Sequence, residues 1–154
     1  MGFRIRGLAA EPFAELFLLP DAELAARGAV RIVADKAPGY PCRISLTDAA
    51  AGDEVILVHY EHHAADSPFR SSYAIYVREG ERTFDETDRV PEMLRSRLLS
   101  LRAFDAQGML LDADVVDGVG MEALIERLFA SASVAYIHVH FARPGCYAAR
   151  VERA

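Results

Sequence analysis

Phe3-Arg4-Ile5-Arg6 alternates apolar and charged side chains, the period-two pattern of a strand with one face in water. Pro12 then opens a short helix through Leu19, with Phe13, Leu16 and Phe17 at helical spacing. Asp21 is placed to cap a second short helix that ends at Gly28. Val30 to Ala34 predicts a strand, and Pro38-Gly39-Tyr40-Pro41 a turn. Cys42-Arg43-Ile44-Ser45-Leu46 alternates again, which would put Cys42, Ile44 and Leu46 on one buried face. Asp48 to Asp53 is expected to be a loop. Glu54 to Glu61 is the strongest strand: Val55, Ile56, Leu57 and Val58 are apolar on both faces, which places it centrally in a sheet.

His62 to Ser71 predicts a polar loop, Tyr73 to Val77 a strand, and residues 79–92, with six acidic side chains, a solvated loop. Pro91 starts a helical turn. Leu99 to Phe104 and Met109 to Val116 flank Asp105-Ala106-Gln107-Gly108, a hairpin turn. Met121, Leu124, Ile125, Leu128 and Phe129 form the apolar stripe of the clearest helix. A second hairpin closes the chain. Pairing Phe141 with Tyr147, Val139 with Ala149 and Ile137 with Val151 makes one face apolar. The opposite face then carries His140 with Ala148, His138 with Arg150 and Tyr136 with Glu152. A one-residue slip would mix the two faces, so this register is favoured. Pro144-Gly145 supplies a type II turn within the loop.

Strands outnumber helices and hairpins join most of them. The pattern therefore predicts an α+β fold: a mainly antiparallel sheet built from hairpins, with helices packed on one side. A length of 154 residues, with no repeat and no low-complexity segment, predicts a single domain over residues 1–154. A hydrophobic fraction of 52% excludes a disordered chain. No apolar run approaches the length of a membrane span, and the start lacks the apolar core of a signal peptide, so a cytoplasmic location is expected. The net charge of −6 argues against nucleic acid and anionic membranes as partners.

One lysine, Lys36, stands beside sixteen arginines, a bias that reads mainly as GC-rich bacterial coding. Any anion site would therefore be built from arginine, whose planar fork matches carboxylate and phosphate. Cys42 and Cys146, with no CxxC pair, predict free thiols and not a structural disulfide.

The histidines carry the most information. His59, His62 and His63 form one cluster, His138 and His140 another. An HxH pair on a strand puts both imidazoles on one face, suited to sharing a metal or a ligand. On the central strand His59 and Glu61 share one face, Tyr60 and His62 the other. If the two segments are neighbours, Glu61 or His62 joins His138 and His140 in a set fit for zinc or iron. The plainer alternative leaves His138 and His140 on the solvated face of a terminal hairpin. Cys146 follows a glycine turn three residues after Arg143, so a thiol beside a guanidinium is a candidate nucleophile or redox sensor, with His140 as its base. As a small apolar group it would equally suit a core. The loop Asp66 to Ser72 offers Arg70 and three hydroxyls to an anion, or else simply caps a strand.

Phe3-Arg4-Ile5-Arg6-Gly7-Leu8, Gly39-Tyr40-Pro41-Cys42-Arg43, Tyr60-Glu61-His62, Ser67-Pro68-Phe69-Arg70, Tyr136-Ile137-His138-Val139-His140 and Pro144-Gly145-Cys146 through Arg153 occur together. In that combination, which covers nearly the whole chain, the sequence resembles a bacterial domain-of-unknown-function family of small single-domain proteins. The resemblance implies no activity. In its pattern Asn often stands where this chain has His59 and Phe141, which sets His59 aside and favours His62, His138 and His140.

Three readings follow. In the first, one polar pocket lined by Glu61, His62, Arg70, His138, His140, Arg143 and Cys146 takes a small anionic molecule. It either only binds the molecule or acts on it, with His138, His140 and Cys146 catalytic and Glu61, His62, Arg70 and Arg143 ligand-binding. In the second, His62, His138 and His140 with Glu61 hold zinc or iron. In the third, the chain is a non-enzymatic interaction protein that pairs as a homodimer through sheet edges or the helix stripe.

Overall fold

The structure, a computed structural model, describes residues 2–154. Among the described residues, eleven strands form two sheets. The first contains β1 (Phe3–Arg6), β7 (Asp85–Thr87), β8 (Leu98–Phe104), β9 (Leu110–Asp117), β10 (Tyr136–Phe141) and β11 (Tyr147–Arg153), in the order β7-β1-β11-β10-β8-β9. Every pair in it is antiparallel. The second contains β2 (Ala29–Val33), β3 (Pro41–Cys42), β4 (Thr47–Asp48), β5 (Glu54–His63) and β6 (Ser71–Val77), in the order β2-β5-β6-β3-β4. Its one parallel pair is β3 with β6. The α+β class and the antiparallel character thus follow the sequence pattern, and β5 is flanked on both sides as its doubly apolar run requires.

The helices do not gather on one side; they are divided between the sheets. A 3₁₀ helix (Glu11–Leu18) and α1 (Asp21–Ala26) bury Phe13, Leu16 and Leu24 against Ile56, Val58, Ile75 and Val77 of the second sheet. Residues α2 (Glu92–Arg95) and α3 (Met121–Phe129) pack on the first sheet, where Met93, Leu94, Met121, Leu124, Ile125, Leu128 and Phe129 meet Leu99, Leu101, Ala103, Ile137, Val139 and Val151. The reason is local: each helix has only one apolar stripe, and each sheet needs a face covered. Asp21 is the first helical residue of α1 and Pro20 its cap. Among the described residues, no helix is long and apolar enough to cross a membrane.

Three segments depart from the period-two reading. Cys42 to Leu46 is not one strand: the chain turns after Cys42, and Leu46 adopts a left-handed φ of 55°. Ile44 and Leu46 are buried as expected, but so is Arg43. The strand β5 runs two residues past Glu61, carrying His62 and His63 out of the expected loop. In the terminal hairpin Ile137, His138 and Val139 pair with Val151, Arg150 and Ala149 as the alternation requires, and then a bulge sets His140 opposite Tyr147, not Ala148.

Candidate functional site

Bulges in β5 and in the terminal hairpin help assemble an aromatic and histidine cluster between the sheets. The bulge in β5, between Tyr60 and His63, adds a residue to the strand and breaks its strict alternation. Consecutive side chains His62 and His63 consequently both reach β10, with rings 6.4 and 5.1 Å from that of His138. The bulge in the terminal hairpin brings Tyr147 to the same face, where it stacks on His62 at 5.3 Å and meets His138 at 5.0 Å. His62 also meets His140 at 5.1 Å. Phe104 and Tyr136 close the other side of His138.

Each histidine is held differently. His63 donates from Nδ1 to the Phe69 carbonyl at 2.9 Å, which leaves Nε2 to accept from the Tyr136 hydroxyl at 2.6 Å. His140 donates from Nδ1 to the Gly145 carbonyl at 2.9 Å. Nδ1 of His62 and Nδ1 of His138 are buried without a hydrogen-bond partner. His138 and His140 are each only 2% exposed. Burial first, and neighbouring positive charge second, pushes His138 down to about 2. Burial likewise pushes His62 to about 4, and His140 to about 4 against the opposing effect of its bond to Gly145. All three imidazoles are therefore neutral at pH 7.

A separate cavity of about 670 Å³ opens between the loops that end the two sheets. Arg43, Arg95, Arg97 and Arg143 contribute to its lining, together with Cys146 and the ring of Phe141. Arg43 is 1% exposed. Its backbone is fixed on both sides, with N–H donating to the Tyr76 carbonyl at 3.0 Å and its carbonyl accepting from Leu8 N–H at 2.8 Å. Its guanidinium donates from Nε to the Tyr147 carbonyl at 2.8 Å, from Nη1 to the Pro41 carbonyl, and from Nη2 to Cys146 Sγ at 2.9 Å. Arg43 and Arg97 lie 5.1 and 5.0 Å from the Phe141 ring centre.

The charges of this cavity do not cancel. Arg97 pairs with Asp48 at 2.6 Å, and Arg95 pairs with Glu122. Among the described residues neither Arg43 nor Arg143 has a carboxylate partner. Burial drives the Arg43 guanidinium below its ordinary value, and contact with the Cys146 sulfur opposes that shift. A buried cation is costly unless an anion or several acceptors compensate it, and here carbonyls and one sulfur do so.

The sequence-predicted residues are thus distributed over three places. His62, His138 and His140 converge in the interior cluster. Arg143 and Cys146 lie at the arginine cavity, whose lining includes none of the histidines. Glu61 and Arg70 form a two-bond ion pair on the exposed surface, at 2.8 and 3.2 Å. Glu61 therefore does not join His138 and His140. Among the described residues no group of three or more His, Cys, Asp or Glu side chains is arranged to hold a metal ion. His59, exposed on β5, bonds Ser72 at 2.9 Å.

Sequence reasoning gave no site role to Arg43, Arg97, His63, Tyr136 or Tyr147. His63 stood in the first histidine cluster, and Arg43 follows a Pro-Gly-Tyr-Pro turn, where an alternating strand has little room to begin. The chain belongs to the family described as protein of unknown function (DUF1203), whose model matches residues 39–153. That span contains all five histidines, the four cavity arginines and Cys146. No curated protein and no solved structure matches the chain.

Proposed function

We propose that this domain binds a small organic monoanion in the Arg43–Arg143 cavity. The observation that carries this reading is Arg43: a guanidinium held almost wholly out of water, with no carboxylate partner, on the wall of a cavity large enough for a small molecule. Because Asp48 and Glu122 already serve Arg97 and Arg95, the unmatched cations are Arg43 and Arg143, and Asp117 on the rim offsets one of them. One net positive charge suits one carboxylate better than a phosphate dianion. Phe141, Tyr76, Leu98, Pro41 and Pro144 supply apolar walls for the rest of such a ligand. Arg143, exposed on the hairpin loop, is the flexible clamp; Arg43, locked by its three acceptors, is the fixed one.

The test is thermal unfolding with benzoate, acetate and inorganic phosphate as probes. Benzoate raises the melting temperature of the native chain in a saturable way, more than acetate or phosphate does. The rise is lost in Arg143→Ala and kept in Arg70→Ala, whose guanidinium is engaged with Glu61. No rise with any of the three anions, or a rise equally lost in Arg70→Ala, would remove the reading.

A further inference from the structure

Cys146 is 8% exposed and lines the same cavity, with its sulfur 2.9 Å from Nη2 of Arg43. We propose that Cys146, its sulfur held by the Arg43 guanidinium, is the reactive cysteine of this chain, and that hydroperoxides entering the cavity oxidise it reversibly to the sulfenic acid. The inference rests on the cavity being open to small molecules, as the anion-binding reading also requires. Two independent observations support it. First, the buried cation touches two carbonyls and one sulfur, and of these only the sulfur can carry a full negative charge. Second, Cys146 belongs to the core of the first sheet and also lines a cavity of about 670 Å³, which gives a reagent a route to it.

In the oxidation the thiolate sulfur attacks one peroxide oxygen. The S–O bond forms as the O–O bond breaks, sulfur gives up two electrons, and the second oxygen departs as hydroxide or alkoxide and takes a proton from water. Arg43 and Arg143 flank the cavity in which that negative charge appears. An organic anion in the cavity engages the same guanidinium and blocks the approach to the sulfur, so occupancy protects Cys146. Cys42 is the built-in comparison: it is fully buried, its sulfur faces the Tyr40 carbonyl, and burial pushes its thiol up to about 12.

The experiment treats the native chain, Cys42→Ser and Cys146→Ser with hydrogen peroxide and dimedone, with and without benzoate, and maps adducts by peptide mass spectrometry. The dimedone adduct forms on Cys146 at least about tenfold faster than on Cys42, persists in Cys42→Ser, is absent in Cys146→Ser, and slows with saturating benzoate. Failure of Cys146 to label at peroxide doses that label a cysteine in the urea-unfolded chain overturns the proposal, as does equal labelling of both cysteines. Labelling of Cys146 that benzoate leaves unchanged upholds the reactive cysteine and instead contradicts the shared anion site.

Discussion

Arg43 and Cys146 stand 103 positions apart in the chain and 2.9 Å apart in space, Nη2 to Sγ. The contact joins the segment after β3 of one sheet to the hairpin loop before β11 of the other, at the place where the cavity opens. One buried side chain thus ties the two sheets together and charges the pocket between them.

Replacing Arg43 tests the first of those roles. In Arg43→Met the Pro41 and Tyr147 carbonyls lose their donors inside the fold. With about 1–3 kcal/mol for each of the two orphaned acceptors, the expected loss is about 2–6 kcal/mol. Arg43→Lys does not restore it, because an ammonium cannot span three acceptors arranged around a planar fork. Urea unfolding of both variants measures this, and a loss below about 1 kcal/mol would show that the carbonyls find other partners.

The interior histidines predict an acid limit. His138 and His140 titrate near 6.5 when unfolded and at about 2 and about 4 when folded, chiefly because burial disfavours the charged ring. The unfolded chain binds more protons between those values, so stability is complete above about pH 6.5 and falls as the pH drops toward 4. Together the two rings account for about 3–4 kcal/mol lost between pH 7 and pH 5. His62, also held at about 4, adds a share like that of His140, so His138→Gln removes about a third of the pH-dependent loss, whatever the variant's stability at pH 7. Urea midpoints at several pH values supply the measurement; midpoints that stay level from pH 7 to 5 would mean that the rings are hydrated.

Gly118 sets the cavity wall opposite the hairpin loop. A Cβ there would run into the Leu94 and Arg95 carbonyl groups, so neither the glycine nor the α2 turn has room to yield cheaply. Gly118→Ala is expected to cost about 2–4 kcal/mol, in the range of an overpacked interior. It should also weaken benzoate binding by distorting the Arg95–Leu98 wall. An alanine variant as stable as the native chain would contradict the tight packing of this corner.

Much of the fold was legible because it is local. The stripe on α3, the Asp105–Gly108 hairpin and the apolar face of Ile137, Val139, Ala149 and Val151 are set by periodicity alone, and the structure keeps them. The candidate site was less legible, for two physical reasons. A bulge adds a residue that no period records; that is why His63 and Tyr147 came to the histidine cluster unannounced. Arg43 was hidden in a stretch that alternates on paper, whereas its place is decided by partners at Tyr147 and Cys146, more than a hundred residues away. The HxH parity of His138 and His140 was correct, but the pattern could not tell an interior face from a solvated one. Arg143 and Cys146 were read together from a five-residue loop, and they do share a cavity.

The most direct measurement of the central claim observes the arginines themselves. Nuclear magnetic resonance of chain labelled with ¹⁵N-arginine, titrated with benzoate, follows each Nε–H signal, with Arg43→Met, Arg143→Ala and Arg70→Ala supplying the assignments. Binding in the cavity moves the Arg43 and Arg143 signals together along one saturation curve while the Arg70 signal, tied to Glu61, stays in place. Arg43 and Arg143 signals that remain fixed at saturating benzoate, or that move no more than Arg70, would contradict it.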